Sequence, residues 1–218
     1  MKQIAIYFFL TMVVWGCKNS SEPNYIYQDQ PDLFSCSGAD MKMVKEGFYV
    51  FENYIAENYA FLSNSTDEGY YNYIKLLLDD RSPASEFFSD YLVEFKDYLK
   101  ERDEFWVEKN GQLHLNYDYP LVNCLINNIK NEQLRNTIDA LVSSNTVRPE
   151  TLGPLLYRNH EMMASDKALA AYVIFETFYP KLFYMDSPEY VPNSEKLRTK
   201  EPIKKEDVEK IEDRNKDN

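Results

Sequence analysis

The sequence predicts an all-α fold, a bundle of about six or seven helices with one small β-hairpin near residues 106–115. Three observations predict it. Between residues 32 and 186 apolar residues recur at spacings of three and four, the period of one helix face. One late segment is apolar nearly all round, as in a central helix. Asn110-Gly111, the dipeptide of tight hairpin turns, stands between Val107 and the alternating Leu113 and Leu115. The sequence shows no internal repeat at a fixed period.

The elements follow in chain order. Over residues 40–62, Met41, Val44, Phe48, Phe51, Ile55, Tyr59 and Leu62 form one apolar face, with Asp40 as N-cap and Gly47 as the weak point of the helix. The polar stretch "SNSTDEG" breaks this helix, and Asn64, Ser65 or Thr66 caps the next, "DEGYYNYIKLLLDD". Ser82 and Pro83 then open a helix as N-cap and first helical residue. Phe88, Tyr91, Leu92, Phe95, Tyr98, Leu99, Arg102 and Phe105 carry its rhythm up to the hairpin. A hairpin alone is marginal, so it must pack on the helices. "DYPLVNCLINNIKN" and "NEQLRNTIDALVSSN" read as two short antiparallel helices capped by Asp118 and Asn131. "RPETLGPLLYRNHEMM" reads as a short helix interrupted at Gly153-Pro154. In the last helix, capped by Ser165, only Glu176 and Thr177 are hydrophilic over residues 168–179, and Pro180 kinks or ends it.

Tails flank this domain. Residues 17–31, polar with two prolines, read as a flexible tether. Residues 187–218 carry three prolines and dense mixed charge, with little to bury. Disorder is the default there, with a short charged helix around residues 204–214 as the alternative. At the other end, Met1-Lys2-Gln3 precedes an apolar run over residues 4–15, broken only by Thr11. That is the layout of a signal peptide. Twelve helical residues rise only ~18 Å, well short of the ~30 Å hydrocarbon core.

The run ends in Val14-Trp15-Gly16-Cys17. This resembles the lipobox of bacterial lipoproteins: an apolar residue, a variable one, a small one, then cysteine. The resemblance covers about the first twenty residues and departs at Trp15, which is bulky where small residues are usual. It implies diacylglyceryl transfer to the Cys17 thiol, cleavage between Gly16 and Cys17 to remove residues 1–16, and acylation of the new amino group. Two or three acyl chains meet or exceed what stable anchoring requires. Lys18, rather than aspartate, follows the cysteine, which in such lipoproteins resembles an outer-membrane destination.

Composition narrows the partners. The formal net charge is −12, and −13 once Lys2 is removed with the leader. Such acidity argues against nucleic acid and against adhesion to anionic head groups. The membrane is then a partner only through the N-terminal lipid. The 18 Tyr and 13 Phe read either as an aromatic-rich core or as a binding surface for glycan or peptide. Trp106 with Tyr117 and Tyr119 is the candidate glycan platform. With Cys17 lipidated, Cys36 and Cys124 remain, either as a disulfide or as two buried free thiols.

The sequence contains no G-x-S-x-G elbow, no P-loop and no EF-hand loop. Its two histidines, His114 and His160, lack zinc-ligand spacing, so neither a metal nor a cofactor is expected. The one polar outlier is Glu176. It reads either as a general acid/base or ligand-pairing group, with Arg158, His160 or Glu161, or as a solvent-edge or structurally paired carboxylate. Three functions follow. The first is a non-enzymatic, lipid-anchored interaction or envelope-maintenance domain facing an unknown envelope protein or glycan. The second is a glycan- or peptide-binding module. The third is a hydrolase with dispersed carboxylates.

Overall fold

A computed structural model describes residues 22–63, 65–84 and 88–185. The leader over residues 1–16, the lipidation position Cys17 and the tail over residues 187–218 lie outside the described residues. The order is α1 (Met41–Tyr59), α2 (Thr66–Leu78), α3 (Asp90–Lys100), β1 (Trp106–Lys109), β2 (Gln112–Leu115), α4 (Pro120–Asn128), α5 (Glu132–Ser143) and α6 (Pro149–Arg158). Then α7 (Lys167–Val173) continues through a π turn (Ile174–Phe178) into α8 (Tyr179–Leu182). Counting this last continuous run as one, the described residues form seven helices and one two-stranded antiparallel hairpin.

The all-apolar segment is the centre of the molecule. Residues 168–175, Phe178, Tyr179 and Leu182 are all buried. α1 and α2 pack together beside it, and Phe51 of α1 meets both Tyr73 and Phe178 edge-on at 4.9 and 4.8 Å between ring centroids. Gly47 is where α1 crosses the centre. A Cβ there would stand 3.0 Å from Phe175 and 3.2 Å from Phe95, and the Gly47 carbonyl accepts from the Tyr179 hydroxyl at 2.8 Å. The helix-weakening glycine is thus required by packing.

Most caps fall where local chemistry puts them. Asp40 accepts from the Lys42 and Met43 amides, Ser65 from Glu68, and Asn131 from Leu134. The Asn110-Gly111 turn takes φ of 54° and 77°, the paired left-handed geometry of a two-residue hairpin. The register pairs Trp106 with Leu115 and Lys109 with Gln112.

Five expectations are corrected. The helix read from Ser82 begins instead at Asp90, where the Ser89 hydroxyl accepts from the Leu92 amide. It ends at Lys100 rather than Phe105, because Trp106 folds back and its Nε1 donates to the Leu99 carbonyl at 2.7 Å. α4 is capped by Tyr119 without a side-chain bond, Pro120 needing no amide partner in the first turn, while the Asp118 amide donates to Asn116. α7 is capped by Asp166 rather than Ser165, since a buried carboxylate accepts from Ala168, Leu169 and Lys130 together. α6 is continuous through Gly153-Pro154. Gly153 lies against Leu78 of α2, and Pro154 removes only the bond to the Glu150 carbonyl.

The tether is also shorter than the sequence suggests. Tyr25 packs edge-on against Phe95 and Tyr98 of α3, and from Ile26 the chain is docked on α1. The fully buried Glu46 carboxylate accepts from the Ile26 and Tyr27 amides, Gln28 Nε2 and the Tyr91 hydroxyl, at 2.6–3.2 Å. Lys45 beside it donates to the Gln28 carbonyl and to Asp32. A disulfide then joins Cys36 to Cys124 of α4, with Cα atoms 5.8 Å apart.

Candidate functional site

A cleft of about 560 Å³ opens where β2, the start of α6, the end of α2 and the π turn converge. Its apolar wall includes Leu77, Leu113, Leu152 and Pro180, and its polar wall includes Asp80, Gln112, His114, Arg148, Glu176 and Lys181. The size suits a small ligand, and the mixture of apolar wall with a few polar groups is typical of ligand sites.

The π turn supplies the acidic side chain. The Tyr179 amide reaches back to the Ile174 carbonyl, and the Thr177 hydroxyl donates to the Val173 carbonyl at 2.6 Å. This wider turn lies just before Pro180, which has no amide to donate. Phe175 and Phe178 stay in the core while Glu176 and Thr177 reach the cleft.

Glu176 is half-buried in the cleft wall, and among the described residues no cation pairs with it. Tyr117 donates to its Oε1 at 2.9 Å, and Oε2 is shielded from solvent with no hydrogen-bond partner among the described residues. The Tyr172 hydroxyl, one helical turn earlier, is equally shielded and unpartnered. Burial dominates the titration. It pushes Glu176 up to about 8, although the Tyr117 bond and the Lys109 charge pull the other way. Burial raises Tyr117 and Tyr172 also, each further raised by the nearby Glu176 charge. His114 is held below its ordinary value by burial and by Lys109. Burial thus favours the uncharged form of both Glu176 and His114. Asp80 pairs with Lys181 at 3.1 Å across the rim, while Arg148 is exposed at the N-terminus of α6.

The sequence-level grouping of Glu176 with Arg158, His160 and Glu161 does not form. The His160 ring packs 4.9 Å from Tyr71, and its Nδ1 lies 2.8 Å from the Tyr157 carbonyl. With Glu161 it borders a different hollow, beside Asp67 and Glu68. Arg158 is exposed in the last turn of α6, and none of the three lines the Glu176 cleft. The aromatic platform does not form either. Trp106 is 5% exposed and edge-on to Phe183 at 4.8 Å, Tyr119 packs on Phe105, and Tyr117 serves Glu176.

Asp80, His114 and Arg148 are cleft residues that sequence reasoning misses, because only the tertiary fold brings them to one wall. Glu46 carried a signal: it falls on the second apolar stripe of α1, with Met43, Val50 and Tyr54, yet is charged.

Among the described residues, no group of three or more His, Cys, Asp or Glu is placed to hold a metal ion. Among them, too, no helix is long and apolar enough to cross a membrane. The Cys36–Cys124 disulfide points to an extracytoplasmic domain, since such bonds persist in oxidising compartments. No family model matches the sequence, and no curated protein or solved structure is significantly similar to it.

Proposed function

We propose that this chain is a lipid-anchored domain of the bacterial cell envelope, held at the outer membrane through Cys17, that binds a ligand or partner group in the Glu176 cleft without turning it over. The observation that carries the binding role is the half-satisfied carboxyl of Glu176, buried in the wall of a ligand-sized cleft. Strongly perturbed acids in clefts concentrate at functional sites. The anchor is supported by the lipobox resemblance of Val14-Trp15-Gly16-Cys17, and the disulfide agrees with an address outside the cytoplasm.

The anchor is tested by labelling cells with radioactive palmitate. The expected result is incorporation into the chain and its loss in Cys17→Ala, with the labelled protein in the outer-membrane fraction. Label that persists in Cys17→Ala would overturn the anchor. The binding role is tested by crosslinking in intact cells with a photoreactive residue at Gln112. Adducts to an envelope component are expected, and a free cleft in every condition would count against it.

One observation favours a second reading as a hydrolase. Asp80 lines the same cleft as Glu176, so an exposed carboxylate and a protonated acid share one site. That division of roles suits general acid–base hydrolysis. It requires the purified protein to cleave an envelope glycan, and Glu176→Gln and Asp80→Asn each to abolish the cleavage.

A further inference from the structure

We propose that the ligand of this cleft is a small amphipathic molecule bearing a carboxylate, its apolar body against Leu77, Leu113 and Leu152 and its charge facing Arg148. The inference rests on the binding role proposed above and assigns the ligand its chemical class.

Charge distribution argues it. The chain carries a formal −12, yet the cleft is the reverse of the whole. Arg148 and Lys181 line it against the single exposed carboxylate of Asp80, which Lys181 already engages at 3.1 Å. The other carboxyl, Glu176, is held mainly in its uncharged form through neutral pH, because burial pushes it up to about 8. Arg148 is thereby the cation left to a ligand, and it projects from the end of α6 where helical amides also favour an anion. Leu77, Leu113 and Leu152 in the same wall suit an apolar body for the rest of the ligand.

Ionisation of Glu176 tunes this affinity. The groups facing it are Tyr172 on its own helix, Lys109 on β1, His114 on β2 and Tyr117 before α4, with Arg148, Lys181 and Asp80 around the cleft. Of these, Glu176 is the one that gains a negative charge near pH 8. Ionising it places a like charge in the wall beside a bound carboxylate, in a poorly hydrated setting where repulsion is strong. Affinity for an anion therefore falls as pH rises through this range, and affinity for a cation rises.

The test compares three eight-carbon probes, octanoate, octylammonium and octanol, on the full chain in detergent, by calorimetry and by NMR shifts of the cleft residues. At pH 6.5 octanoate is expected to bind about fivefold or more tightly than octylammonium. That preference should vanish in Arg148→Gln. Between pH 6.5 and 9.5 octanoate should weaken severalfold in the native protein and stay level in Glu176→Gln, with circular dichroism confirming both folds. Octylammonium or octanol binding the cleft as well as octanoate would overturn the carboxylate class and leave the binding role standing. If no probe shifts the cleft residues, both fall. Octanoate binding that ignores Arg148→Gln would place it elsewhere and overturn the inference.

Discussion

The carboxyl of Glu176 is removed from water, and one hydrogen bond from Tyr117 does not replace the hydration it loses. The folded chain therefore holds this proton more tightly than the unfolded chain does, with the folded value near 8 against an ordinary 4.5. By linkage, stability falls with pH wherever the native state binds more protons. The contribution is fully present below about pH 4.5. It declines through the interval and is gone above about pH 8. Glu176→Gln removes the titration while keeping the shape and a donor. The variant should be more stable than the native protein above pH 8, by about 5 kcal/mol if the whole shift is expressed. The two should converge near pH 5. Urea unfolding at pH 5, 7 and 9 measures this, and parallel curves for the two proteins would contradict it. The sequence makes Glu176 conspicuous as a charge in an apolar run. It does not identify the partner, because Tyr117 is 59 residues away and meets it only through the packing of the hairpin region on the central helix.

At the scale of elements, α1, α2 and α5 are legible because burial of one face sets the period, and α7 because it is apolar nearly all round. Starts and stops are less so, since several caps compete locally and tertiary contacts choose among them. Ser82-Pro83 is as good a helix start on paper as Ser89, yet α3 starts at Asp90. Asp166 prevails over Ser165 because its second oxygen also serves the Lys130 amide, which ties α7 to the segment before α5. The least legible element is the docked strap over residues 22–36. Its polar composition and two prolines signal a tether, and its order comes from side chains of α1, Glu46 foremost, with Lys45 and Tyr49 holding Gln28, Pro31 and Asp32. Glu46→Ala should therefore act on the strap before the bundle. It leaves the Ile26 and Tyr27 amides without their acceptor and the Tyr91 hydroxyl unpaired. A loss of about 2–4 kcal/mol is expected. Hydrogen exchange should show residues 25–28 losing protection while the α7 core keeps its own. Uniform loss across the chain would show that the strap is not a separable unit.

For the whole molecule, the same strap decides how the N-terminus is held. Under the anchor proposed at Cys17, a pull on the N-terminus would enter residues 22–36, where it meets the Glu46 contacts and then the bond from Cys36 to α4. The sequence leaves disulfide and free thiols open for this pair, since a spacing of 88 residues carries no geometry of its own. The fold decides by bringing the end of the strap onto α4, which in turn packs on α7. Closing a loop of this length removes freedom mainly from the unfolded chain. Reduction should then lower stability by about 4–5 kcal/mol in the chain-entropy model, and the folded spectrum should change little because the helical core is held by burial. The measurement is urea unfolding with and without dithiothreitol, on the native chain and on Cys36→Ser with Cys124→Ser. The native midpoint should drop on reduction to that of the double variant, which should itself be indifferent to the reductant. Equal midpoints for oxidised and reduced native chain would mean that the unfolded state is already constrained, and that the Glu46 strap rather than the disulfide secures the N-terminal side.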